Sequence, residues 1–107
     1  MKDQIREGDV LLREVNVLPP EGLVPKTEII LAEGEATGHA HRLSAKVILE
    51  WRIDDQRYIR VEDDKAGQLY HEDHDPQPVA VVQPHKTYEV IPQEEWNLKG
   101  QWRKVQD

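Results

Sequence analysis

Four of the five histidines fall in two short motifs, Gly38-His39-Ala40-His41 and His71-Glu72-Asp73-His74. Side chains on a strand alternate with period two, so His39 and His41 on an extended segment present both imidazoles to one face. His71 and His74 differ by three, which on a straight strand sends them to opposite faces. They converge only if the chain turns there, and Asp73, Asp75 and Pro76 supply turn chemistry. Two such pairs on neighbouring strands form a nitrogen donor set for a divalent transition metal, since neutral imidazole is the commonest metal-binding side chain. His39, His41, His71 and His74 are the candidate ligands. Glu72 is the candidate carboxylate, as a ligand, a proton acceptor or an orienting hydrogen-bond acceptor.

His-Glu-Asp-His also looks like the zinc-protease helix motif with one residue missing. That motif needs histidines four apart on a helix, and these are three apart among residues that break helices, so the protease reading is rejected. Gly34 and Gly38 do not make a phosphate loop, because no helix follows to aim its amides at an anion. The fifth histidine, His85, sits in a Pro84-His85-Lys86 turn and receives no role.

The elements that must position these groups are short strands. Val10 to Val15 reads as one, after a Gly8-Asp9 turn. Pro19, Pro20 and Gly22 stop the ladder. Glu28 to Ala32 is a second, and the glycine-rich run 34–38 delivers the chain to a short strand at His39 to Leu43. Lys46 to Ile53 and Arg57 to Val61 read as a hairpin around Asp54-Asp55-Gln56. Gln68 to His71 is a strand end. Val79 to Val82 is apolar enough to be a central buried strand, and Thr87 to Ile91 alternates again. In the tail, Gln93 to Trp96 fits one helical turn, and Gln101 to Val105 an edge strand or short helix. Short strands between turn signals predict an all-β single domain over 1–107, a small barrel or sandwich.

Composition narrows the class. The chain has 107 residues, 37% hydrophobic and 33% charged, with formal net charge −7. That balance lacks the basic footprint of a nucleic-acid binder. With no cysteine, there is no disulfide framework, and a metal must be held by His, carboxylate, carbonyl or water. No apolar run approaches the roughly 18 residues that cross a bilayer, and Met1 to Glu7 has no signal-peptide core, so the expectation is a cytoplasmic protein. Trp51, Trp96, Trp102 and the three tyrosines are read as core or rim packing.

At Gly38-His39-Ala40-His41 the chain resembles the cupins, small β-barrels in which a glycine-rich approach leads to a His-x-His pair. The expected glutamate just after the pair is absent from Arg42 to Lys46, and His71 to His74 replaces the usual turn with a lone histidine. The chain is also similar, over most of its length, to a group of small uncharacterised bacterial and phage proteins. Their pattern is matched by Gly8 to Leu12, Gly34 to His41, His71 to His74 and Pro84 to Val90. The cupin resemblance implies a cupin-like barrel; the second implies no activity. The histidines themselves suit a divalent metal, Zn, Fe, Ni or Mn, without choosing among them.

Two other functions stay open. One is an accessory module that docks a protein partner or a second copy through a β-edge or the Trp96/Trp102 tail. The other is a metal-free hydrolase or cyclase using paired histidines as acid and base on a phosphodiester.

Overall fold

The computed structural model describes residues 2–7, 10–33, 40–71 and 77–92. They form eight strands: β1 (Gln4–Glu7), β2 (Val10–Val15), β3 (Lys26–Glu33), β4 (Ala40–Ile53), β5 (Gln56–Val61), β6 (Gly67–His71), β7 (Ala80–Val82) and β8 (Thr87–Pro92). All belong to one antiparallel sheet in the order β1-β2-β8-β5-β4-β6-β7, with β3 also paired to β4. The domain is all-β, and its sheet curls into a nearly closed barrel. The expected helical turn at Gln93 to Trp96 and the element at Gln101 to Val105 lie outside the described residues.

The registers explain the curl. β5 runs along one edge of β4 from Ile53↔Gln56 to Ile48↔Val61, and β6 continues along that edge from Ser44↔Gln68 to His41↔His71. β5 and β6 are thus one long strand broken at 62–66. β7 and β8 repeat the plan, β7 pairing with β6 and β8 with β5, with a break at 83–86. The two breaks lie side by side, joined by a parallel bridge between Val61 and Pro84. The sheet turns a corner there.

β4 turns the same corner without ending. Sequence alternation splits it in two, yet it is one strand of 14 residues. Leu43 is fully buried, and so is Ile48, so the inward parity changes from odd to even between them. An irregularity in the middle of a strand does this, re-aiming side chains and sharpening the bend. Leu43, Ile48, Ile59, Val61, Leu69 and Tyr88 line the core that both walls share. Gly67 packs closely against this core. A Cβ there would stand 3.0 Å from Val61 Cγ2 and 3.1 Å from Leu43 Cδ1.

Two elements differ from the expectation. β1 is an additional strand, paired to β2 from Gln4↔Arg13 to Glu7↔Val10. β7 lies at one end of the strand order, not at its centre, and Val81 is exposed while Val82 is buried. The hairpin is as expected, but its turn is only Asp54-Asp55, because Gln56 already pairs with Ile53; Asp54 is in the left-handed region at φ 57°, which Asp tolerates because its short side chain can bond locally. β8 is buried on both faces. On its outer side Arg13, Glu89, Tyr58 and Trp51 form a row across β2, β8, β5 and β4. Arg13 binds Glu89 at 2.7 Å, and Trp51 stacks on Tyr58 with centroids 5.8 Å apart. Trp51 and Tyr58 therefore pack, as their sequence context implied.

Among the described residues, no helix is long and apolar enough to cross a membrane.

Candidate functional site at the histidine pair

His41 and His71 stand directly opposite each other on β4 and β6. Leu43 and Leu69 are the next inward-facing pair along the same two strands, and both are fully buried. Period-two alternation therefore points the two histidines to the inner face, one step beyond the core. Their ring centroids are 4.6 Å apart in an edge-to-face arrangement of 64°. His41 is only 2% exposed, whereas His71 is half-buried.

Several contacts fix this register. On the opposite face, Arg42 pairs with Tyr70, and its guanidinium lies 4.6 Å from the Tyr70 ring centroid. Arg42 also reaches Glu28 on β3 at 3.0 Å. β3 backs the pair from the other edge of β4, where Ala32 is the partner of His41.

β3 is itself held by Arg57, which reaches across from β5. Its Nε donates to Glu50 Oε2 at 2.6 Å, Nη1 to the Leu31 carbonyl at 3.1 Å, and Nη2 to the Ile30 carbonyl at 2.7 Å. Lys26 donates to the other Glu50 oxygen at 3.2 Å. Burial pushes the Glu50 carboxyl upward, but the charges and hydrogen bonds of Arg57 and Lys26 outweigh it and leave the group below the usual carboxylate range.

Of the residues chosen from sequence, the structure brings His41 and His71 together. His39, Glu72 and His74 lie outside the described residues. Among the described residues, no three His, Asp or Glu side chains form a group that would hold a metal ion. His41 and His71 are the two members of the candidate donor set that the described residues bring together.

Sequence reasoning passed over a second arrangement. His85 Nδ1 lies 2.8 Å from Glu62 Oε1, and Arg60 Nε donates to Glu62 Oε2 at 2.7 Å. Burial raises the Glu62 carboxyl, but the His85 hydrogen bond and the Arg60 charge outweigh it, holding the group below its ordinary value. The only sequence signal was a histidine after proline in a turn. Nothing in the local sequence tied it to a glutamate 23 residues earlier.

A curled antiparallel sheet carrying a histidine pair on its inner face defines a small β-barrel domain with a candidate polar site at one end. The chain belongs to the family described as a domain of unknown function (DUF8820), whose pattern matches residues 6–93. No curated protein and no solved structure matches it.

Proposed function

We propose that the domain binds a divalent transition metal through His41 and His71, with His39 and His74 completing the donor set. The observation that carries this reading is the cross-strand imidazole pair. One ring is buried at 2% exposure, and the other stands 4.6 Å away. Neutral imidazole is the commonest metal-binding side chain, and the strand register sets two of them opposite each other. An all-nitrogen set suits Zn²⁺, Fe²⁺, Ni²⁺ or Mn²⁺ without choosing among them. If the domain is an enzyme, bound metal would activate water or oxygen, with Glu72 as proton acceptor. In this reading the barrel is cupin-like, the protein cytoplasmic, and the assembly a homodimer through strand edges.

The asymmetry of the pair favours a second reading, in which a buried and a half-buried imidazole act as acid and base on a phosphodiester without metal.

Elemental analysis of untagged protein purified without chelator, beside His39→Ala/His41→Ala, separates the two. Near-stoichiometric metal in the wild type, lost from a mutant that keeps its circular dichroism spectrum, is expected. No metal in either protein after reconstitution would overturn the metal reading and turn attention to phosphodiester substrates.

A further inference from the structure

A cleft of about 340 Å³ lies at the far side of the corner, bounded by Glu14, Asn16, Arg60, His85, Lys86 and Thr87. It lies against the 83–86 break, and each of the two breaks contributes one member of a hydrogen-bonded pair beside it. Glu62 follows the last residue of β5, and its amide donates to the Val47 carbonyl at 2.9 Å. His85 lies in the 83–86 break, and its amide donates to the Val61 carbonyl at 2.8 Å. Backbone hydrogen bonds thus fix both residues before their side chains meet at 2.8 Å.

Four features distinguish this corner from an ordinary turn. His85 adopts φ 63°, a left-handed conformation that is uncommon for a residue other than glycine and that recurs at ligand and active sites. Glu62 accepts from Nδ1, which selects the tautomer carrying its proton there and leaves Nε2 as a free acceptor; protonated, the ring offers Nε2–H as a donor instead. Arg60 spends Nε on Glu62 and Nη1 on Thr87 Oγ1 at 3.1 Å, leaving Nη2 without a partner among the described residues. Lys86 adds an ammonium 3.8 Å from Glu14.

We infer that this cleft is a binding site for a small ligand bearing an oxyanion, a phosphate or carboxylate group. The oxyanion would be held by Arg60 Nη2, Lys86 Nζ and the His85 ring, with the Thr87 hydroxyl beside them. The carboxylates of Glu14 and Glu62 balance the two fixed cations, so recognition rests on directional hydrogen bonds more than on net charge. The volume is that of a small-molecule site. The inference is independent of the histidine pair at the other site.

The test is a nitrogen-15 chemical-shift titration of the intact protein with inorganic phosphate and, separately, with acetate, at constant ionic strength so that general screening does not change. Saturable shifts confined to Asn16 to Leu18, Glu62 and His85 to Thr87 are expected. Phosphate alone, or acetate alone, producing them identifies the class of oxyanion. His85→Asn keeps a residue that tolerates the left-handed backbone while removing the imidazole, and should weaken binding about tenfold, the worth of one charge-assisted hydrogen bond. Lys86→Ala alters a side chain outside the strands and should weaken it several-fold, giving a second reading if His85→Asn folds poorly. Shifts that are absent, spread over the whole barrel, or equal in wild type and both variants would overturn the assignment.

Discussion

Arg57→Met removes the guanidinium that ties β5 to the β3 edge while keeping an unbranched side chain of similar reach. Three hydrogen bonds go: one to Glu50 and two to the Ile30 and Leu31 carbonyls. A bond involving a charged group contributes about 1.5–3 kcal/mol, but bonds from one guanidinium do not add. The Arg57 and Glu50 side chains are 16% and 18% exposed, so water recovers part of the loss. The expected cost is about 2–3 kcal/mol, which for a chain of this size lowers the melting temperature by roughly 10–20 °C. Arg57→Lys should recover only part, because an ammonium cannot serve the carboxylate and both carbonyls with one planar fork. The pH dependence gives a second reading. The folded Glu50 carboxyl lies below its ordinary value, so its contribution is fully present above the unfolded value of about 4.3 and is lost as pH falls through the folded one. The gap between wild type and Arg57→Met should therefore narrow below pH ~4. Urea unfolding across pH measures both effects. A cost under about 0.5 kcal/mol at pH 7, or a gap that widens in acid, would refute the tie between β5 and β3.

Other substitutions probe the remaining contacts. Gly67→Ala places a methyl against Val61 and Leu43 at 3.0 and 3.1 Å; overpacking should cost about 1–3 kcal/mol in urea unfolding, and a neutral result would mean the corner gives way easily. Tyr88→Phe removes the hydroxyl that donates to Asp3 Oδ2 at 2.7 Å and should cost about 1 kcal/mol. Burial first, and then Asp3, push the Tyr88 hydroxyl well above the ordinary tyrosine range, so absorbance titration should find Tyr88 still un-ionised at pH 11 in folded protein; ionisation at the ordinary value would place it in water. The folded Glu62 carboxyl is likewise low, so the contribution of its bonds to His85 and Arg60 should disappear as pH falls below about 4, visible as loss of the His85 amide's protection before global unfolding.

The fold class was legible because alternation is a local property. Tyr58-Ile59-Arg60-Val61 and the Asp54-Asp55 turn announce a hairpin without help from the rest of the chain. The continuity of β4 was not legible, since the change of inward parity between Leu43 and Ile48 erases period two where the strand bends. Val79 to Val82 reads as a central strand because apolar runs are ambiguous, and only the pairing order places it at an end. Half of the histidine site was legible: His41 opposite His71 follows from strand parity plus register, and register needs the intervening hairpin to be counted. The Glu62–His85 pair was hidden for the complementary reason. Both residues lie in breaks, where spacing carries no periodic information.

The corner also bears on how securely the histidine pair is kept. One strand carries His41 in one wall and Trp51 in the other, and it is paired to β3, β5 and β6 at different heights. Sliding it by a single residue would turn His41 outward and Arg42 inward, and would also swing Trp51 off Tyr58 and Glu50 off Arg57. Misalignment in either wall is therefore felt in both, and the long strand acts as a shared ruler that leaves the imidazoles one permitted position.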